Sequence, residues 1–161
     1  MEIFTLGNDV LRQKALPVQD IDGQVKALSQ EMIDTMHRGR GVGLAGPQVG
    51  LLQRIFVVHI DGESPRIFIN PTIIGTSPEL SLFEEGCLSI PGMYADVTRP
   101  DKVTVQAWNE RGRPFTLDAV GFLARVIQHE YDHLEGVLFI DRLSEPKRKR
   151  LIALYDKKMR A

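Results

Sequence analysis

Gln128-His129-Glu130-Tyr131-Asp132-His133 lies inside a longer segment, Ala119–Glu135, whose apolar spacing predicts a helix that stops at Gly136. On a helix, residues four apart stand on the same face one turn apart, so His129 and His133 can close on one ion. Glu130 lies beside that face, where a carboxylate can exchange a proton with water activated by a divalent cation without being a ligand itself. Solvent-facing helices also show this five-residue spacing by chance. Here, though, the pair accounts for two of only four histidines and sits in an otherwise apolar segment. Phe122, Val126, His129 and His133 share one face, which sets an apolar wall beside the paired imidazoles, as a pocket for an apolar side chain needs. Val120, Leu123, Ile127 and Leu134 form a neighbouring stripe, expected to face the core.

Working outward, Val25, Leu28, Met32 and Met36 recur at helical spacing within 24–38, with Asp20 and Asp22 as start signals. Gly39–Gly50 (GRGVGLAGPQVG) is too glycine-dense for a regular element. Strands are predicted at Arg54–Ile60, Arg66–Asn70, Glu79–Phe83, Lys102–Trp108 and Arg113–Leu117. Ser144, ahead of Glu145 and Pro146, caps a final helix reaching about Met159. Strands gathered between helices predict an α+β class: central antiparallel or mixed sheets, a buried metal-binding helix, an N-terminal helix and a C-terminal helix. The length of 161 residues suits a single catalytic domain over 1–161, and 43% hydrophobic with 25% charged residues excludes a disordered chain.

No apolar run approaches the ~20 residues that span a bilayer. The first residues, MEIFTLGNDVLRQKAL, carry neither a signal nor a transit pattern, and the lone cysteine, Cys87, agrees with a reducing compartment. A cytoplasmic protein without membrane or DNA partners is the expectation. Charge is uneven: residues 146–161 hold seven basic residues against Asp156, so a +6 tail faces a net −7 in residues 1–145. Such a tail is either the solvated face of a packed helix or a surface for an anionic partner.

A catalytic ion usually keeps three protein ligands and one open position. One protease class places a third histidine after the glycine that follows the motif, but Phe139 stands there, so that class is excluded. A second class uses a later glutamate, and Glu145, the nearest, reads better as part of a helix cap. His37 has no motif support, and His59 falls in an apolar strand where core packing is the better reading. Cys87 remains, within Glu84-Glu85-Gly86-Cys87-Leu88-Ser89. Gly86 lets the backbone approach closely, and a thiolate suits a borderline or soft ion. These residues are also compatible with a buried inert thiol, and by themselves they leave both readings open.

Taken together, Gly41–Gln48 (GVGLAGPQ), Glu85–Ser89 (EGCLS) and Gln128–His133 (QHEYDH) resemble the peptide deformylase family in order and separation, over most of the chain to about Leu143. The resemblance implies removal of the N-formyl group from N-formylmethionyl nascent chains, giving formate and a free amino terminus. It implies that Cys87, His129 and His133 hold one divalent metal, with Fe2+ expected and Zn2+, Ni2+ or Co2+ able to replace it. Glu130 would act as general base and then acid, and the Gln48 side chain and Leu88 N–H would stabilise the oxyanion with the metal. Val42 and Gly43 would pair with the substrate backbone as an added strand. Gly86 belongs to the same substrate-contacting set, and Val42, Phe122, Val126 and His129 would surround the methionine side chain. Similar basic C-terminal helices in some deformylases dock on the ribosome, where neutralised phosphates reward binding. Gly46 stands where a second alanine is usual, which is expected to loosen the loop presenting Gln48. Phe122 and Arg125 replace aliphatic residues expected along the pocket rim, and Tyr94 replaces a basic residue. A peptidase of the His-Glu-x-x-His type, or a non-catalytic metal module, are the alternatives; Glu130 and Gln48 have no purpose in the second.

Overall fold

The computed structural model describes residues 1–161. Helix α1 is Gly23–Arg38, and Asp22 caps it by accepting from the Val25 N–H at 3.0 Å. Seven strands follow: β1 Gly43–Ala45, β2 Ile55–Val58, β3 Arg66–Thr76, β4 Leu80–Cys87, β5 Ile90–Pro100, β6 Lys102–Trp108 and β7 Pro114–Val120. Helices α2, Gly121–Leu134, and α3, Glu145–Arg160, complete the chain. One sheet runs β1-β2-β3-β6-β7 and the other is the β4-β5 hairpin. Every strand pair in both is antiparallel, and the single parallel contact is an isolated bridge between Leu16 and Gln53. The sheets are therefore antiparallel rather than mixed, since no connection makes the long crossover that parallel neighbours need.

Several boundaries differ from the sequence expectation: β3 runs on to Thr76 and β4 to Cys87, past the predicted Asn70 and Phe83. The helix begins at Gly121, not Ala119, because Gly121 takes φ +61°, turning the chain sharply out of β7. Ala119 and Val120 thus belong to the strand, and Val120, 59% exposed, leaves the core stripe assigned to it. Strand β5 is the larger difference, a whole element where the sequence suggested none.

Ten of the fourteen residues of α2 are buried, so it is an interior helix with the sheet on one side and the β4-β5 hairpin on the other. Its inner face, Ala124, Val126, Ile127 and Leu134, packs with Phe56, Phe68 and Val105 of the sheet. Helix α1 covers a second cluster around Met32, Met36, Leu44 and Val57. The third cluster joins Leu151 and Tyr155 of α3 to Ile90, Phe139 and Ile140, while Leu154 and Met159 are exposed. No helix is long and apolar enough to cross a membrane.

Candidate metal and active site

Cys87 ends β4, and α2 brings His129 and His133 to face it. One donor atom from each lies within 4.8 Å of the other two, the Cys87 sulfur standing 3.4 Å from His133 Nε2. One ion can gather all three with only small side-chain movement. Strand alternation puts Glu85 on the same face as Cys87. There its Oε1 accepts from His129 Nδ1 at 2.9 Å, which fixes the tautomer and leaves Nε2 free to ligate. Glu85 is itself held by Arg99 Nε and Arg125 Nη1, both 2.6 Å from its Oε2. Arg99 continues to Asp132 at 2.9 Å, and Asp132 to Arg142 at 2.7 Å. Burial alone would raise Glu85, but the His129 hydrogen bond and the Arg99 guanidinium bring it down to about 2.

The surroundings fit a cation. Glu130 Oε1 is buried without a hydrogen-bond partner, an exception among buried polar atoms. Burial opposes charge on His129, yet Glu130, the Cys87 sulfur and Glu85 outweigh it and hold the imidazole well above its ordinary pKa, so this point in the fold favours positive charge. Burial takes His133 the other way, well below its ordinary value, which keeps that ring neutral and its lone pair available. Burial also lifts the Glu130 carboxyl to about 7, with the His129 charge pulling against it.

Around this centre lies a cleft of about 480 Å³ lined by Val42, Gly43, Gly86, Phe122 and Val126 together with Gln48, Leu88, His129 and Glu130. Every residue marked for substrate contact in the sequence reaches it, and His133 sits behind the wall, 1% exposed. Gln48 is no surface amide. A short 3-10 turn, Gly46–Val49, buries it; its Oε1 accepts from the Ala45 N–H at 3.0 Å and its Nε2 donates to Ser89 Oγ at 3.0 Å, 3.5 Å from the Cys87 sulfur. The Leu88 N–H donates to no protein acceptor. Gly43 is required by contact: a Cβ there would lie 2.4 Å from Glu130 Oε2.

Three expectations are corrected. Gly46 does not loosen its loop, because a Cβ would meet the carbonyl oxygens of Leu51 and Gln53 at 2.6 and 2.7 Å; glycine is what lets the turn pack. Arg125 lines the cleft as expected but is buried rather than exposed, 5% accessible, tied to Glu85 and to the Val97 carbonyl at 2.8 Å. His59 follows the end of β2 and is only half-buried; its ring bonds His37 at 2.7 Å and the Glu63 carbonyl at 2.8 Å, away from the cleft. Tyr94, opposite Gly86 in register, lays its ring across the space a Gly86 side chain would fill. The roles of Glu85, Arg99, Ser89 and Phe83, whose ring lies tilted against Phe122 with centroids 5.9 Å apart, were not anticipated. Of these Glu85 and Ser89 left a trace, at the two ends of the Glu85–Ser89 segment that carries part of the resemblance.

A thiol sulfur and two imidazoles beside a buried carboxylate, with a cleft in front, place the protein in the class of mononuclear metallohydrolases that attack a carbonyl group. The family profile of polypeptide deformylase matches residues 1–149. Peptide deformylase 1 of Clostridium perfringens is 55% identical over 135 residues, covering 83% of this chain and 91% of that protein. The Borreliella burgdorferi peptide deformylase is 47% identical over 156 residues, 96% of this chain and 94% of that one. The crystal structure of the Legionella pneumophila peptide deformylase superposes with a TM-score of 0.93 at 42% identity, over 99% of this chain and 95% of that one. The Ehrlichia chaffeensis enzyme in complex with actinonin gives 0.94 at 37% identity, over 100% and 98%. The chain belongs to the polypeptide deformylase family, metal-dependent hydrolases that remove the N-formyl group from N-formylmethionine at the amino terminus of nascent polypeptides and release formate.

Proposed function

We propose that this chain carries out deformylation with Cys87, His129 and His133 holding one divalent ion, Fe2+ in the cell and replaceable by Zn2+, Ni2+ or Co2+, while Glu130 moves the protons. The observation that carries the assignment is the convergence of those three donors beside a buried, unpartnered Glu130 oxygen. When bound, such an ion polarises a carbonyl and makes water acidic enough to attack near neutral pH. Glu130, lifted by burial to about 7, accepts the proton of the attacking water and returns it to the departing amine, a task that suits a group titrating near the working pH. Gln48 Nε2 and the Leu88 N–H donate to the formyl oxygen as it gains charge, and each donor so placed is worth about 3 kcal/mol.

Substrate backbone is taken by β1. The Val42 carbonyl accepts from the His59 N–H at 2.9 Å, on the β2 side. By antiparallel alternation, the Gly43 N–H and C=O then face away from β2, free for an added strand. Val42, Phe122, Val126 and the His129 ring enclose the methionine side chain, with Phe83 backing Phe122. Residues 1–161 act as one catalytic domain in the cytoplasm, and the exposed cations of α3 offer a surface to ribosomal RNA.

Formate release from a formyl-methionyl peptide under anaerobic conditions, with bound metal quantified, tests the assignment. Glu130→Ala should keep its metal and lose roughly 100-fold or more in kcat. Wild-type turnover in the variant would remove Glu130 from the chemistry.

A further inference from the structure

A chain entering this cleft has one way out. Along the β1 edge, Leu44 and Ala45 are fully buried, whereas in the other direction Val42 and Arg40 are exposed, with Gly41 half-buried between them. A paired chain advances about 3.3 Å per residue. If the methionine lies beside Gly43 and Val42, as the proposed function has it, the third and fourth residues of the substrate pass Arg40. That residue stands at φ +59°, a left-handed conformation that disfavours any side chain but glycine, yet an arginine occupies it between Gly39 and Gly41.

The hairpin wall of the same cleft carries a second cation from an unexpected place. Pro91 and Gly92 line the cleft, and Lys158, near the end of α3, lays its side chain over them. Its Nζ donates to the Pro91 carbonyl at 3.4 Å and fills the space a Gly92 side chain would need, 1.8 Å from the position of a Cβ. Neither Arg40 nor Lys158 is paired with a carboxylate. The one exposed acid of the cleft lining, Glu84, lies further up β4, next to Phe83 and opposite Asp96, toward the methionine end. The cleft is thus positive where the chain leaves it.

We propose that Arg40 and Lys158 read the charge of the third and fourth residues of the formylated chain and favour acidic side chains there. Charge complementarity of this sort changes capture more than chemistry, so it belongs in kcat/KM rather than kcat. The test uses metal-loaded enzyme and amidated peptides, formyl-Met-Ala-Xaa-Xaa, with Xaa as Asp, Ser or Lys. At low salt the order Asp, Ser, Lys should hold in kcat/KM, with an Asp to Lys ratio of about ten-fold, a size fitting two exposed charge contacts. The ratio should fall toward one as salt rises to about 0.5 M. Arg40→Glu and Lys158→Glu should each lower it about ten-fold, and the double variant should invert the order. Arg40→Met and Lys158→Met, which remove charge but keep the stem, should lower it less. A wild-type ratio near one at low salt, with the Ser peptide turned over normally, would overturn the charge reading while leaving the deformylase assignment standing. So would a ratio that neither charge reversal moves. Failure of the wild type to release formate from the Ser peptide would overturn both together.

Discussion

Gly43 and Glu130 are made for each other: the missing side chain of one is the space held by the carboxylate of the other. The same economy governs Glu85, which orients His129 and is itself clamped by Arg99 and Arg125. Its ionisation near 2, against an ordinary 4.5, fixes how stability should depend on pH. A carboxyl whose folded value is depressed contributes fully above the unfolded value and loses that contribution as pH falls toward the folded one. Glu85→Gln should therefore cost on the order of 3 kcal/mol at pH 7, leaving two buried guanidiniums short of a partner, and much less at pH 3. Urea unfolding of the metal-stripped proteins at both pH values measures this, and an equal gap at the two would show that the charge of Glu85 is not what the cluster rewards. At this scale His129, Glu130 and His133 were legible because helical spacing alone puts them together. The roles of Arg99 and Arg125 were not, since each is defined by a partner at least 14 residues away in sequence and on another segment.

Elements read well where one face is apolar and poorly where the sequence is punctuated. The helical period of α1 and α2 is plain in Val25, Met32 and Met36, and in Val126, Ile127 and Leu134. Strand β5 is hidden by Pro91, Gly92 and Pro100, which read as loop residues but sit at its ends, where an exposed two-stranded hairpin tolerates them. The glycine-rich stretch hides β1 and the turn bearing Gln48 for the same reason: its glycines answer to close contacts with Glu130, Leu88 and the Leu51 and Gln53 carbonyls, none of which spacing reveals. Gly46→Ala is the direct check. Restoring a methyl at this position should push against two backbone oxygens, destabilise by about 1–3 kcal/mol and displace the Gln48 amide, lowering kcat more than it raises KM. Thermal unfolding and steady-state kinetics on that one variant suffice; an alanine accepted without loss of either would mean that the turn is not packed as described.

Across the whole molecule, α2 is held between two sheets, and α3 packs against the hairpin that carries Cys87. Leu151 and Tyr155 are buried against Ile90, Phe139 and Ile140, so the basic tail is part of the core as well as a charged surface. Removing residues 147–161 should therefore lower the unfolding temperature by several degrees, whatever it does to partner binding. Reversing the exposed Lys149, Arg150 and Lys157 should leave that temperature nearly unchanged and weaken ribosome affinity with a shallower salt dependence. Salt-independent affinity in the parent protein would exclude RNA contact through these cations. The fold class was legible from strands grouped between helices, but the placement of α3 was not, because its cations dominate its composition and only two of its residues, Leu151 and Tyr155, are buried. What the account rests on most is that sulfur and two imidazoles share one ion. X-ray absorption at the zinc edge of Zn2+-loaded protein reads this directly. One sulfur at about 2.3 Å and two imidazole nitrogens at about 2.0–2.1 Å are predicted, with the sulfur lost in Cys87→Ala and the whole shell kept in Glu130→Ala. A shell without sulfur, or one closed by a fourth protein ligand, would contradict it.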